Sequence, residues 1–291
     1  MSPKAMIGTI TSARGRPLWR RLRRGDWMIV ALLVLYVACV LLPPFIAPHD
    51  PNQVALTVPL ASPSAEYPLG SDEIGRDIFS RMIAAAQIAM LAGVGSVTIA
   101  LVVGSVLGVV AGYMGGYVDL VINRFADLLF AFPGFLIAII LVAGLGPGVW
   151  EASLAIGIIF IPRFIRITRV EAMRVMGSSY VDAARLARRS GPYIMARHVL
   201  PNISSPLVVL TALSMSTAQA TYASLSFLGY GARAPQADYG QMLMVGRVYM
   251  LQDPGYVIAP AIVLTGLILS FNLLGDTLRD RLDPRAGKHG I

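Results

Sequence analysis

The densest group of chemically capable side chains in the sequence is the stretch YVDAARLARRSGPYIMARHVLPN, from Tyr180 to Asn202. It carries four arginines and one histidine, and guanidinium groups are suited to bind carboxylates or phosphates. Residues 181–189 favour helix, Gly191-Pro192 breaks it, and a second helical run covers 193–200. The pattern predicts a basic helix-turn-helix. Two interpretations stay open: an interfacial segment on anionic lipid, or a docking element for a partner.

Catalytic constellations are missing from the sequence. The three histidines, His49, His198 and His289, are far apart, and neither an HExxH pair nor a Gly-x-Ser-x-Gly elbow occurs. A phosphate-binding loop needs Gly-x-x-x-x-Gly-Lys-Ser/Thr. At Gly287-Lys288 the next residue is histidine, and Leu282 replaces the first glycine. We therefore expect a chain that is not an enzyme and holds no cofactor or metal.

The elements around the basic segment are apolar runs suited to a bilayer. Hydrophobic residues make up 56% of the 291 residues and charged residues only 14%, against about 25% in soluble proteins. A membrane-crossing helix needs roughly 20 apolar residues. Six runs are assigned as spans: 27–47, 83–112, 128–145, 152–168, 203–225 and 256–274. The predicted fold is an all-α membrane protein of six transmembrane helices.

The distribution of positive charge orients these spans. Of the 24 Lys and Arg residues, 20 fall in the N-terminal segment, the 113–127 loop, the 163–202 loop and the tail. Cytoplasmic loops carry the excess of Lys and Arg, so both termini are predicted to be cytoplasmic. The excess of basic residues, which gives a net charge of +8, therefore reflects membrane topology rather than a nucleic-acid-binding face. The chain divides into a basic segment, 1–26, a transmembrane domain, 27–275, and a cytoplasmic tail, 276–291.

Small residues and prolines predict features inside the spans. A stripe of small residues recurs every four positions in span two: Ser96, Ala100, Gly104, Gly108 and Gly112. Residues with this spacing share one helix face, so another helix backbone is expected to pack closely there. Pro133-Gly134 should bend span three near its start, and Pro162 with Arg163 should kink span four or mark where it leaves the lipid.

Polar groups in and beside the spans allow two interpretations each. Span five is rich in hydroxyls, which suit either interhelical hydrogen bonds or a hydrated path. Thr217, Gln219 and Thr221 are the candidates for lining such a path, with Gln219 foremost, since a buried amide is costly without partners. The external acidic cluster around Asp72 and Asp77 suits contact with another protein or a self-contained ion-paired cap.

The basic segment resembles the coupling loop in permease subunits of bacterial ATP-binding-cassette importers. That loop has the pattern Glu-Ala-Ala, then glycine, then a hydrophobic residue before Leu-Pro. The matching positions are Asp182, Ala183, Ala184, Leu200 and Pro201. Asp182 replaces the glutamate with its charge conserved. Arg188 stands where the glycine is expected and Gly191 follows three residues later, so a shifted or reshaped turn is expected.

Four further segments resemble the dipeptide, oligopeptide and nickel branch of these permeases. They begin at Tyr67 (YPLGSDEIGRDIFSRMI), Gly112 (GYMGGYVDLVINRFADLLFAFPGFLIAIILVAGLGPG), Ala223 (ASLSFLGYGARAPQADYGQML) and Phe271 (FNLLGDTLRDRLDPR). They occur in the family's order, and the resemblance covers about residues 25–285. The element after Tyr67 is similar to that of the second, or C-type, permease of such systems.

The resemblance implies a transmembrane permease subunit in the bacterial inner membrane, with a coupling helix within a loop of about 169–202 between spans four and five. The positions implied for ATPase docking are Tyr180, Asp182, Ala183, Ala184, Arg185, Arg188, Gly191, Leu200 and Pro201. The implied partners are a second homologous permease, one or two cytoplasmic ATPase subunits that bind ATP and Mg, and an extracytoplasmic substrate-binding protein. Short peptides are the expected substrate. Nickel chelates, glutathione and an ATP-independent channel or secondary transporter stay open as alternatives.

Overall fold

A computed structural model describes residue 34 and residues 36–282 of the chain, and this part is helical. The β-type pairing in it is an isolated bridge between Ser71 and Asp77. The predicted basic segment 1–26, most of the first half of span one and the end of the tail, 283–291, lie outside the described residues. Of span one, a helical stretch is described up to Leu41, and it breaks at Leu42 before the two prolines.

Ten helices follow in chain order within the described residues. They are α1 (Pro43–Ile46), α2 (Ile78–Met114), α3 (Gly116–Phe130), α4 (Gly134–Leu145), α5 (Val149–Met176), α6 (Ser179–Leu186), α7 (Gly191–Ile194), α8 (Ser204–Phe227), α9 (Tyr239–Tyr249) and α10 (Gly255–Leu282). A π-helical turn, Met195–Val199, and a 3₁₀ turn, Leu200–Ile203, join α7 to α8 without a break.

Three of these helical segments are long and apolar enough to cross a bilayer: Ile78–Met114, Gly191–Phe227 and Gly255–Leu282. A fourth candidate is the pair α3 and α4, whose axes are bent by 87° at the break between them. The bend predicted at Pro133-Gly134 is therefore confirmed. α5 carries five charged residues between Arg163 and Arg174, so only its first half is apolar. The six-span count and the side of each terminus stay predictions.

The helix boundaries differ from the predicted spans where polar groups cap or extend a helix. α2 begins at Ile78 rather than at residue 83, because the Asp77 carboxylate accepts hydrogen bonds from the backbone N–H groups of Phe79 and Ser80. α5 does not end near Thr168 but continues as one helix past Pro162 to Met176. The loop predicted at 113–127 is mostly helix α3, whose Asp119 and Asp127 pair with arginines of α5.

The glycines of α2 lie against the backbone of α5, as the stripe of small residues predicted. A Cβ added to Gly104 would lie 2.5 Å from Phe164 Cβ, and one on Gly108 would lie 2.7 Å from the Ile165 carbonyl oxygen. At Gly112 the Ala172 Cβ would be 2.9 Å away. Any side chain at these positions would push the helices apart. We call this contact the α2–α5 seam, and it is the structural frame of the bundle.

At the opposite end of α2, the acidic cluster forms an ion-paired cap. The Asp72 carboxylate is fully buried and accepts a hydrogen bond of 2.5 Å from Arg76 Nε. Glu73 accepts from Arg76 and from the Tyr256 hydroxyl of α10. Tyr239 of α9 donates to the Met82 carbonyl, and burial raises the pKa of its phenol far above the ordinary value, which keeps it a donor. These contacts support the self-contained cap among the two interpretations of the cluster.

Candidate coupling segment and pathway face

The basic segment folds into two arms that leave and re-enter the helix bundle. α5 ends at Met176, α6 forms the first arm, and α7 with its π-helical and 3₁₀ continuation forms the second arm, which runs directly into α8. We call residues 179–203 the coupling segment. Gly191-Pro192 does not break the first arm as predicted. The break lies at residues 187–190, and Gly191-Pro192 begin the second arm, where proline lacks the N–H that a first turn leaves unpaired.

One face of the coupling segment belongs to the core of the protein. Val181, Ile194, Val199 and Ile203 are fully or almost fully buried in the main hydrophobic cluster. Ala184 is only 9% exposed and belongs to the same cluster. An i, i+3 pair such as Val181 and Ala184 shares one face of a short helix. Ala184 therefore packs inward, and an exposed docking contact through its side chain is not supported by its position.

The other face of α6 is exposed and mixes charge with apolar surface. Asp182 and Arg185 are exposed and form a loose ion pair, with 3.4 Å between Arg185 Nη1 and Asp182 Oδ1. Ala183 lies beside them, and Tyr180 is 45% exposed. Leu186 is 86% exposed, although the apolar residues Val181 and Ala184 of the same helix are buried. The exposed face of α6 therefore combines an alanine, a protruding leucine and a pair of opposite charges.

The turn between the arms is formed around Arg188. The Arg188 N–H donates to the Arg185 carbonyl at 2.9 Å, and the Arg189 N–H donates to the Ala184 carbonyl at 3.2 Å. This pair of bonds is the Schellman motif, which ends a helix with one residue in the left-handed region. Arg188 is that residue, with φ of 52°. The turn is therefore not shifted to Gly191: Arg188 adopts the conformation that favours glycine, at the position where the resemblance led us to expect a glycine.

Two further contacts fix the second arm. Gly191 packs on Tyr113 near the end of α2, where an added Cβ would lie 3.0 Å from the Tyr113 hydroxyl oxygen. The His198 ring lies between Tyr180 of the first arm and Tyr193 of the second, with ring centroids 6.2 and 5.8 Å away. The segment is therefore held by the ends of both seam helices. Leu200 and Pro201, the last two predicted positions, are exposed where the second arm approaches α8.

Sequence reasoning singled out the acidic and alanine positions of this surface but missed Leu186 and Tyr193. Leu186 lies two positions from Ala184 and five from Val181, so it points about 160° away from Ala184 and about 140° away from Val181 around the helix. Counting helix phase from Val181 would therefore have found it. Tyr113 lies 78 positions from Gly191 in the sequence, and no pattern connects them.

The hydroxyls of α8 divide between two faces. Thr217 and Ser224 are exposed, Thr221 is half-buried, and each hydroxyl donates to the backbone carbonyl four residues earlier. Ser224 also lines a cavity of about 480 Å³ between α4, α8, α9 and α10, whose walls are otherwise apolar. A hydroxyl that is satisfied within its own helix still offers an acceptor to a molecule that passes along this face.

Gln219 does not share the face of Thr217 and Thr221. Its side chain is fully buried against α2, and an added Cβ on Gly93 would lie 2.5 Å from its Nε2. Neither side-chain polar atom of Gln219 has a hydrogen-bond partner among the described residues. Gln219 is therefore an interior residue, and its predicted place on a pathway lining is corrected. Two positions along a helix turn by about 200°, which separates it from Thr217.

Comparison with known proteins agrees with this geometry. Residues 104–288 match the family model described as binding-protein-dependent transport system inner membrane component. The chain belongs to this family. It is therefore an inner-membrane transport permease rather than an enzyme, as the sequence resemblance indicated. The match includes the α2–α5 seam and the whole coupling segment, so the two features described above are parts of the family's shared domain.

Individual relatives cover most of the chain. It is 39% identical over 256 residues to the probable D,D-dipeptide transport system permease protein DdpC of Escherichia coli K12, which covers 88% of this chain and 86% of that protein. It is 40% identical over 270 residues to the glutathione transport system permease protein GsiD of Escherichia coli O6:K15:H31 (strain 536 / UPEC), and the same holds for the Shigella sonnei protein. These matches cover 92% of this chain and 89% of each relative.

Proposed function

We propose that this chain and a second, homologous permease together form the membrane path of an ATP-driven importer for short peptides. The observation that carries the proposal is the coupling segment: its inner face is packed into the helix bundle while its outer face is exposed and partner-like. The relatives named for D,D-dipeptide and glutathione transport support short peptides as the substrate class. Both substrates carry peptide amides and charged ends, which is the chemistry the path must accept.

The proposed energy source is ATP bound with Mg on one or two cytoplasmic ATPase subunits. No phosphate-binding loop occurs in this sequence, so hydrolysis has to take place on another chain. Asp182, Ala183, Arg185 and Leu186 are the exposed positions proposed to contact that chain. A protruding leucine fits an apolar pocket, and the neighbouring charges fix orientation. An extracytoplasmic binding protein is proposed to deliver the peptide on the opposite side.

The mechanical role proposed for the coupling segment follows from how it is held. α5 leads directly into its first arm, and Tyr113 of α2 supports its second arm through Gly191. Because the α2–α5 seam has no room for relative movement of the two helices, a force on the segment moves both helices as one body. Closure of the ATPases would then tilt this body and open the path on one side or the other.

The pathway face proposed here is the hydroxyl-bearing face of α8, with Thr217, Thr221 and Ser224. Uncharged hydroxyls accept hydrogen bonds from peptide amides without selecting for side-chain charge. Substrate selection would then rest with the binding protein. The apolar cavity beside Ser224 gives room for side chains of different sizes.

Reconstitution tests the proposal directly. The chain is purified with its permease, ATPase and binding-protein partners, placed in liposomes, and supplied with labelled dipeptide and MgATP on the ATPase side. We expect uptake that requires MgATP and the binding protein. Uptake without any ATPase would instead favour a channel or secondary transporter. Parallel arms with glutathione and a nickel chelate separate the two remaining substrate alternatives, and transport of the nickel chelate alone would refute the peptide assignment.

A further inference from the structure

Helix α3 presents an apolar stripe that no part of the described structure covers. Five side chains on one face, spaced three, one, four and three residues apart, are between 46% and 78% exposed. They are Tyr117, Leu120, Val121, Phe125 and Leu128. Asp119 and Asp127 of α3 pair with arginines of α5. Arg124, which is four residues from both Leu120 and Leu128, lies within the stripe itself and is exposed. An exposed apolar face that carries one basic residue is typical of a helix that lies on a membrane surface, but it also fits a helix covered by a partner.

Two independent observations give the direction of α3. Its axis is bent by 87° from that of α4, with which it would have to form a single span. In addition, Asp119 pairs with Arg169 and Asp127 with Arg166. The two acids are eight residues apart, or roughly 12 Å along α3, while the two arginines are three apart, or roughly 4.5 Å along α5. The two ion pairs therefore bridge a longer stretch of α3 than of α5, as expected for two helices that cross rather than run side by side.

The position of α3 along the bundle follows from its neighbours. It begins at Gly116, and the chain turns at the end of α2 through Gly115 and Gly116, whose φ values are 61° and 53°. Tyr113, just before them, contacts Gly191 of the coupling segment. α3 therefore lies at the coupling-segment end of the bundle. With 15 residues it is roughly 22 Å long, which is shorter than the hydrocarbon core of a bilayer.

Charge selects the occupant of the stripe. Arg166 and Arg169 neutralise the two aspartates of α3. The remaining charged residue of α3 is Arg124, whose side chain is 76% exposed and whose ion pair with Asp127 is long, at 3.9 Å. Arg163 of α5 is also exposed. An exposed arginine, Arg124, within a row of aromatic and aliphatic side chains matches the boundary between anionic headgroups and acyl chains.

We propose that α3 lies in the plane of the membrane on the coupling-segment side, with its apolar stripe at the headgroup–acyl boundary of a leaflet that contains anionic lipid. Because α3 is ion-paired to α5, its position at the membrane surface would fix how deeply α5 is inserted in the membrane, and therefore how far the coupling segment lies from it. Only the identification of this leaflet as the cytoplasmic one rests on the proposed function.

Depth measurements with spin labels test this orientation. In the full-length chain, assembled with its partner subunits in vesicles containing phosphatidylglycerol, Cys39→Ser removes the native cysteine. Single labels are then placed by Tyr117→Cys, Val121→Cys or Leu128→Cys. We expect equal depths for the three labels near the headgroups, with more collisions with oxygen than with a polar nickel complex. A spanning helix would instead show a gradient of roughly 16 Å from 117 to 128.

Matched positions calibrate the measurement. Ile140→Cys on the exposed face of α4 should report a deep label, and Glu66→Cys, at an exposed position in the polar loop before α2, a fully aqueous one. A depth gradient along α3, aqueous labels on it, or labels shielded from both reagents would each overturn the proposal, the last because a protein partner would then cover the stripe. If uptake fails while the label profile is as expected, the proposed function fails and the orientation of α3 stands.

The lipid charge is tested separately at one position. With the label at Val121→Cys, exchange of phosphatidylglycerol for a zwitterionic lipid, or the added substitution Arg124→Gln, should raise collisions with the nickel complex at least twofold. Unchanged collisions in both cases would overturn the requirement for an anionic leaflet.

Discussion

The α2–α5 seam and the outer surface of the coupling segment both contain small residues, but these residues have different roles in the two regions. In the seam, glycine allows two backbones to approach, and a side chain at Gly108 would collide with the backbone of α5. On α6, Ala183 lies open to solvent, and its small size leaves a flat surface beside the protruding Leu186. The first region binds the chain to itself, and the second is available to another molecule.

The seam is the region that can transmit a force through the bundle, and the outer surface of α6 is the region on which a partner can exert that force. The seam is closely packed and apolar, so changes there should alter folding before they alter transport. The outer surface of α6 makes few contacts within the chain, so changes there should alter transport without altering folding. Substitutions of similar size in the two regions therefore separate the two roles.

The largest expected effect is in the seam. Gly108→Val forces a branched side chain against Ile165 and Thr168, and overpacking of this kind costs about 1–3 kcal/mol or more. We expect a clear loss of folded protein in the membrane fraction and a lower melting temperature in detergent. Gly266→Val in α10 is the control, since an added Cβ there meets nothing within 4 Å. Equal losses for both variants would show that the seam is not specially constrained.

The next effect is functional. Ala183→Glu on the exposed face of α6 should reduce co-purification of the ATPase and ATP-driven uptake at least tenfold, while the melting temperature stays within the error of the unmodified chain. The glutamate would place a second negative charge beside Asp182 and a larger side chain on the surface where the ATPase is proposed to bind, so both charge and size would oppose binding. Ala184→Glu, one position along, places a charge in the core and should destabilise the chain itself. If Ala183→Glu leaves uptake normal, the docking surface is wrongly placed.

A smaller effect is expected at the turn. Arg188 has a positive φ, which costs a residue with a side chain roughly 1–2 kcal/mol relative to glycine. Arg188→Gly should therefore stabilise the coupling segment, seen as slower cleavage by a protease that cuts elsewhere in residues 179–203. Arg188→Ala removes the same charge without relieving the backbone and serves as the control. Faster cleavage of the glycine variant would show that the arginine side chain holds the turn.

Much of the seam could be predicted from the sequence, because small residues at every fourth position identify one helix face by themselves. The two arms of the coupling segment were also predictable from composition. The turn was not, because a glycine in the sequence is a stronger signal than an arginine, and Arg188 takes its conformation from the Schellman bonds around it. Ala184 and Leu186 could have been assigned to faces by helix phase alone.

Other positions depend on tertiary contacts that the sequence does not display. The rotation of α8, which buries Gln219 against Gly93 and exposes Thr217, is set by its neighbours, and polar residues occur on both of its faces. Most of helix α3 was predicted as the loop 113–127 between spans two and three. The helical spacing of its apolar residues was visible in the sequence, but its ion-pair partners were not, since Asp119 and Asp127 are separated by 50 and 39 residues from the arginines that neutralise them.

The central claim is that an ATPase contacts the outer face of α6 and that its inner face belongs to the permease. The most direct test is cross-linking in the assembled complex, with Cys39→Ser as background and single cysteines introduced by Leu186→Cys or Ala184→Cys. We predict that a short thiol-reactive cross-linker joins the chain to the ATPase subunit from position 186 and not from position 184. Cross-links to the ATPase from 184 but not from 186, or from neither position in an active complex, would contradict the account.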